Sequence, residues 1–250
     1  MDEIRFSLND DEHAEFAWFA REYPRIFRYH LYHAEHRLKK IHDNYRLASA
    51  RFQTDILSGK ENLFSVSMGR GLAWLIYWDF EAFLNAINSS LDIMARLVGL
   101  FYADQLPLSF NKLCSRAELE GPVDLLRAAQ RRWVARMKDY RDCFVHYTPV
   151  DNESFVQCHK YADGWEVRCK IPINPNVRES DGFRFSRRVD LIRYALATYR
   201  NLRALDRKIG QSIRTYWRSG RFPKRRHNLF FAGSRQKNSY RPNKTLQHDV

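Results

Sequence analysis

Arg141, Asp142 and His146 stand together in the stretch RDCFVHYTP, residues 141 to 149, where an apolar helical spacing runs out ahead of Pro149. A guanidinium stays charged at any ordinary pH and offers paired N–H donors to an anion, phosphate above all. An imidazole takes or gives a proton near neutrality. Asp142 can orient either one. Such a set suits an anionic substrate whose reaction moves a proton while negative charge builds. Spacing alone does not single it out. Arginine followed by histidine after four to six intervening residues occurs six times: Arg25/His30, Arg28/His33, Arg37/His42, Arg141/His146, Arg221/His227 and Arg241/His248. The pair at 141 differs in having a carboxylate directly after the arginine and in closing a helix before a proline. A structural reading competes, in which Arg141 and Asp142 form a surface pair and His146 favours the negative end of the helix dipole.

The elements that position these groups are helical. Phe27, Leu31, Ala34, Leu38, Ile41, Tyr45, Ala48 and Phe52 recur at alternating steps of four and three, a coiled-coil-like seam. Asn9 with Glu12 reads as the start of that first helix near Asp10, Pro24 as a break or restart within it, and Gly59 as its end. A second helix is expected from about Val66 to Phe101, with Leu72, Ile76, Phe80, Phe83, Ile87, Leu91, Met94 and Val98 on its buried face. After a loop with Pro107 and Pro122, a third carries Leu126, Trp133, Met137, Tyr140 and Phe144, and stops near Tyr147 because Pro149 biases Thr148 away from the α region. At roughly 100° per residue Arg141 borders the buried seam, whereas His146 points well away from it unless the last turn loosens. A groove between two copies of this helix end can accept both side chains.

Residues 154–173 alternate about an Asp163-Gly164 turn: Val156, Cys158, Trp165, Val167, Cys169 and Ile171 on one face, His159, Tyr161, Glu166, Arg168 and Lys170 on the other. Cys158 and Cys169 are equidistant from that turn and are expected to face each other as thiols. Val189, Ile192, Leu196, Tyr199, Leu205, Ile209 and Ile213 mark a last helix ending by Gly220. The fold class is therefore all-α: an up-and-down helical bundle over residues 1–220 with a β-hairpin inserted at 152–173, followed by a flexible basic tail at 221–250.

Charge narrows the partners. The chain has 250 residues and a net charge of +13, of which the segment from Arg218 to Val250, nine basic residues against one acid, supplies +8. Such a field attracts polyphosphates, which makes a nucleic acid the natural partner. The longest apolar run, LAWLIYW at 72–78, is far short of the roughly 18 residues of a membrane span. The acidic N-terminus lacks a signal-peptide layout, so a cytoplasmic location and no membrane partner are expected. Cys114, Cys143, Cys158 and Cys169 lack metal-type spacing, and His30, His33 and His36 spread by about 60° per step around their helix, so no metal site and no cofactor are expected.

The stretch RDCFVHY on the third helix of a four-helix unit resembles the R-(polar)-x-x-x-H signature of the HEPN (higher eukaryotes and prokaryotes nucleotide-binding) family. By helix pattern the resemblance spans roughly 60–150 and 187–219. By motif it rests on Arg141, Asp142 and His146. The long first helix, the hairpin and the basic tail are additions to it. The resemblance implies a metal-independent endoribonuclease of toxin–antitoxin or antiviral defence type, acting as a homodimer that brings two motifs together, with a cognate antitoxin or defence-system protein as a further partner. In that chemistry the ribose 2′-OH is the nucleophile, His146 moves protons, Arg141 holds the phosphate, and DNA is not cut. The alternative is a catalytically inactive helical module that binds RNA or a protein.

Other candidates border this reading. Glu81, Asn85, Asn88 and Asp92 form a polar line on the second helix. They are either a solvated face or a cleft edge where Asn85 and Asp92 brace Arg141 and contact substrate. Tyr29, Tyr32 and Tyr45 can stack on bases or pack against a partner chain. In the tail, Phe222, Phe230, Phe231 and Tyr240 interleave with Arg225, Arg226, Arg235 and Arg241, a composition suited to single-stranded RNA.

Overall fold

The computed structural model describes residues 4–6, 14–57, 70–102, 109–147, 156–161, 164–179, 182–221 and 229–231. Its first long element, α1 (Ala14–Leu57), follows from the heptad-like seam. Phe27, Leu31, Ala34, Ile41, Ala48 and Phe52 are buried, with Leu38 and Tyr45 packed at the margin. Pro24 lies inside α1 and neither ends nor restarts it. The residues expected to cap its two ends, Asn9, Glu12 and Gly59, fall outside the described residues.

The seam packs along α2 (Arg70–Gly99), whose Ile76, Phe80, Phe83, Ile87, Leu91, Met94 and Val98 are all fully buried. Burying such a side chain contributes roughly 1.5–3 kcal/mol. The two helices are antiparallel. Arg37 and Asn44 of α1 donate to Asp79 of α2 at 2.8 and 3.0 Å, while Arg96 near the other end of α2 lies over the Tyr23 ring. A short helix, α3 (Phe110–Cys114), occupies part of what reads as loop in the sequence, capped by Ser109 and anchored by buried Phe110 and Leu113.

The third long helix is one path in four pieces: α4 (Pro122–Ala129), a π-helical turn (Gln130–Val134), α5 (Ala135–Asp142) and a second π-helical turn (Cys143–Tyr147). It starts at Gly121, whose φ of 74° is in the region that favours glycine, and whose N–H donates to Asp124 at 2.7 Å. A Cβ at Gly121 would lie 2.2 Å from the Tyr216 ring, so glycine also permits a close approach to the last helix, α6 (Leu191–Arg218). The opposite end of this path meets the start of α2, where Phe144 stacks on Tyr77 and sits edge-on to Phe80. In α6, Tyr194 meets Phe80 and Tyr140, while Trp217 meets Phe101. These contacts make α5 antiparallel to both α2 and α6, and the four long helices alternate in direction.

Between α5 and α6 lies a three-stranded antiparallel sheet, β2 (Val156–Tyr161), β3 (Gly164–Pro172) and β4 (Phe185–Asp190), in that order. Its third strand corrects the sequence reading: Val189 belongs to β4, and α6 begins only after Asp190, whose carboxylate accepts from Ile192 N at 2.9 Å and Arg193 N at 3.1 Å. The register also differs. Tyr161 pairs with Gly164, Cys158 lies opposite Val167 and Cys169 opposite Val156. The two cysteines are therefore not directly facing. Toward its end β3 is covered on both faces: Val167, Cys169 and Ile171 are buried as expected, and so is Lys170, placed by alternation on the solvent side, whose ammonium lies 4.6 Å above the Phe185 ring.

Three residues of the segment read as a flexible tail, β5 (Leu229–Phe231), pair antiparallel with β1 (Ile4–Phe6), Ile4 opposite Phe231 and Phe6 opposite Leu229. The chain is thus mainly helical with a small sheet. No described helix is long and apolar enough to cross a membrane.

Candidate active site

Helix α5 is seated by Tyr140. Its ring is fully buried, edge-on to Tyr194 at 4.6 Å between centroids, and its hydroxyl donates to the Pro172 carbonyl at 2.7 Å. Two more phenols do the same to β3: Tyr45 of α1 donates to Val167 O at 2.6 Å and Tyr77 of α2 to Lys170 O at 2.7 Å. One strand is thereby tied to three helices, and Arg141 follows directly on one of the ties. Periodicity placed Tyr45 and Tyr140 on buried faces but did not single out Tyr77, and nothing in the spacing revealed their common acceptor strand.

The helix end carrying the motif widens. On an α-helix residues five apart are separated by about 140° around the axis. A π-helical turn, bonded i to i+5, brings such residues nearly above one another. The second π turn begins at Cys143, so three of the five steps from Arg141 to His146 run through widened helix, which narrows the angle between them from the α-helical value. Phe144 points the other way, into the aromatic contact with Tyr77 and Phe80, and fixes the turn to the core.

Arg141 and Asp142 form a pair at the surface. Arg141 Nε donates to Asp142 Oδ1 at 2.9 Å, and Nη2 donates to the same oxygen. Their side chains are 29% and 46% exposed, so both are reachable from solvent. His146 is exposed, its ring edge-on to Tyr147 at 5.8 Å, and the Arg178 guanidinium lies 5.7 Å over the Tyr147 ring. Arg141 and His146 share no hydrogen bond. One turn earlier, Lys138 donates to Asn111 Oδ1 at 2.8 Å and sits 5.1 Å above the Phe110 ring. Burial lowers the pKa of this ammonium, opposed by the charge of Asp92 and assisted by that of Arg141. Lys138 is thus a second cation beside Arg141, half-buried and missed in the sequence reading because lysines are too common in helices to stand out.

Of the polar line on α2, Asp92 reaches this neighbourhood but not Arg141. Its carboxylate accepts from Phe110 N at 3.0 Å and from Asn88 Nδ2 at 3.3 Å, holding the start of α3. Asn85 is exposed and has no hydrogen bond to a described residue. Neither braces Arg141. Arg225, Arg226 and Arg235 lie outside the described residues, as do Phe222 and Tyr240. In the histidine series, His33 Nε2 accepts from Arg37 Nε at 3.1 Å, and the described residues hold no group of three metal-type ligands. Burial lowers the pKa of His30 and, with the charges of Arg37 and His36, that of His33. Cys114 is pushed up to about 11 by burial, and Cys169 is raised for the same reason, so neither is a ready thiolate.

The arrangement offers a solvent-reachable guanidinium and carboxylate at the end of α5, an exposed imidazole in the π turn that follows, and a second cation one turn earlier: groups able to hold a phosphate and move a proton. Comparison of the chain with protein-family models, curated proteins and solved structures gave no match.

Proposed function

We propose that the protein is a metal-independent, HEPN-like endoribonuclease of toxin or defence type, working in the cytoplasm as a homodimer in which two copies of the Arg141–His146 helix end share one groove. In the reaction the 2′-oxygen bonds to phosphorus as the bond to the 5′-oxygen breaks. One His146 takes the 2′-OH proton, the other copy's His146 gives a proton to the departing oxygen, and Arg141 stabilises the charge on the phosphate. The observation that supports this best is the second π turn. It narrows the helical angle between residues 141 and 146 at a solvent-reachable end, where Arg141 is hydrogen-bonded to Asp142. Exposed Val145 on the same turn, and exposed Trp78 on α2 one residue from Tyr77, provide apolar surface of the kind a second copy can cover. RNA, a second copy and a cognate inhibitor are the partners of this reading.

The test is RNA cleavage by the purified full chain in excess EDTA. Wild type is expected to cut. Arg141→Ala and His146→Ala should lose at least a hundredfold in rate, and His146→Ala should keep its RNA affinity. One observation favours the alternative, a catalytically inactive RNA-binding or protein-interaction module: both described hydrogen bonds of the Arg141 guanidinium go to Asp142 rather than outward. Under it, wild type and both variants behave alike.

A further inference from the structure

Helix α1 carries a second feature that its packing does not use. We propose that the outward face of α1 is a binding track for single-stranded RNA, on which Tyr29 and Tyr32 stack against bases while Lys39 and Lys40 hold phosphates. This deepens the ribonuclease reading by naming single strands as its substrate class, and it rests on that reading only for RNA as the ligand; none of its residues belongs to the candidate active site.

Tyr29 and Tyr32 are 66% and 65% exposed, an unusual setting for two large aromatic rings one turn apart. Tyr45 of the same helix shows the contrast, since its hydroxyl is bonded to β3 and its ring is packed on the core. Tyr29 is held by edge contact with the His30 ring at 5.3 Å and a tilted contact with His33 at 6.4 Å, which leaves its outer side to solvent. Residues 25, 29, 32, 36, 39 and 40 follow steps of four, three, four, and three or four, so Arg25, both tyrosines, His36 and the two lysines line one side of the helix. From 29 to 40 that side is roughly 16 Å long, enough for about three unstacked nucleotides.

Charge favours a polyanion. Residues 21–51 hold eight Lys and Arg against three Asp and Glu, a net +5. Two of the acids are engaged: Glu22 pairs with Arg21 and Arg25, and Glu35 accepts from the Tyr199 hydroxyl at 2.9 Å. Lys39 and Lys40 are exposed and make no ion pair with a described residue. A second copy of the chain is a poor occupant, since a two-fold axis would set the same unpaired lysines against each other and interface cores are depleted in lysine. Single strands present what duplexes do not, free base faces beside phosphates, and stacking on tyrosine is worth a large factor per base without reading sequence.

The test is fluorescence anisotropy of the full chain with a labelled single-stranded RNA of about ten nucleotides and mixed sequence, in EDTA, beside the same sequence as single-stranded DNA and as duplex RNA. The Tyr29→Ala, Tyr32→Ala double variant should bind the single strand at least tenfold more weakly, whereas the corresponding Phe pair stays within about twofold, because the ring and not the hydroxyl does the stacking. Lys39→Gln with Lys40→Gln should flatten the log–log salt dependence by roughly 1.4. Single-stranded DNA should share the tyrosine dependence, and duplex RNA should not. Affinity of the alanine pair within twofold of wild type overturns the proposal. So does a change of sedimentation behaviour in that pair with RNA affinity intact, which would give the face to a second copy. Tyrosine-dependent binding with no cleavage by wild type would retire the ribonuclease reading and keep the track; cleavage with tyrosine-independent binding would do the reverse.

Discussion

Replacing Tyr140 by Phe removes one oxygen from the centre of the framework that presents Arg141. The hydroxyl donates at 2.7 Å to the Pro172 carbonyl, and the side chain is fully buried. Burial also raises the phenol's pKa, so the group is a protonated donor throughout the working range. Phenylalanine keeps the ring against Tyr194 and beneath the Arg136 guanidinium, so the loss reduces to a buried carbonyl left without its donor, with a small contribution from the 3.5 Å contact of Arg136 Nη2 to the hydroxyl. Such a carbonyl costs about 1–3 kcal/mol, and the inaccessibility of this one to water argues for about 2. In a chain of this length that corresponds to a fall in Tm of roughly 4–8 °C. The assay is thermal and urea unfolding of Tyr140→Phe beside Tyr199→Phe, whose hydroxyl bonds Glu35 at the surface and whose loss is expected to cost about 0.5 kcal/mol or less. Equal losses in the two variants, or a loss below about 0.5 kcal/mol for Tyr140→Phe, would refute the view that phenol-to-strand bonds seat the site.

Three further perturbations test other parts of the structure. Gly121→Ala should destabilise by about 2–4 kcal/mol, because it combines a left-handed backbone with a Cβ 2.2 Å from the Tyr216 ring, while Gly220→Ala, at φ 65° in open space, should cost only about 1–2 kcal/mol in chemical denaturation. Arg127 donates to the carbonyls of Cys114, Arg116 and Leu119 and pairs with Asp124, clamping the segment between α3 and α4. Arg127→Ala should therefore cost about 2–3 kcal/mol, and Arg127→Lys should not restore it, since one ammonium cannot span three carbonyls. His30 has its pKa lowered by burial, and its Nδ1 has no partner among the described residues, so the folded chain binds fewer protons there than the unfolded one. Stability from this group is therefore full above the unfolded histidine pKa of 6.5 and declines as pH falls below it. The urea midpoint of wild type should drop between pH 7.5 and 5.5, and that drop should narrow in His30→Gln.

Sequence spacing located the framework where one residue pattern meets one environment. The α1 seam and the buried face of α2 were legible because each forms a continuous apolar stripe at helical spacing, and Phe27, Ile41, Phe80 and Leu91 are all buried. Alternation identified the inserted strands but failed at Lys170, since this end of β3 is covered on both faces and the aliphatic stem can lie buried while the ammonium meets an aromatic ring. The hairpin register slipped by two because Tyr161 pairs with Gly164, which no count from an Asp-Gly dipeptide reveals. Val189 was assigned to α6 because it fits the helical spacing, although Asp190 next to it carries the capping signal. Arg141, Asp142 and His146 were found by type and context. The π turn between them was not, because no local spacing marks it, and the Phe144 contacts with Tyr77 and Phe80 beside it are tertiary. Lys138 went unnoticed for a related reason: only the placement of Asn111 and Asp92 makes it part of the site.

The most direct measurement is mass spectrometry of the RNA fragments left after incubation with the full chain in chelator, wild type against His146→Ala. If the Arg141–His146 turn performs 2′-OH-driven cleavage, wild type yields 2′,3′-cyclic phosphate and 5′-hydroxyl ends and His146→Ala yields intact RNA. Ends bearing 3′-hydroxyl and 5′-phosphate, equal cutting by the two proteins, or RNA left whole by wild type would contradict the account.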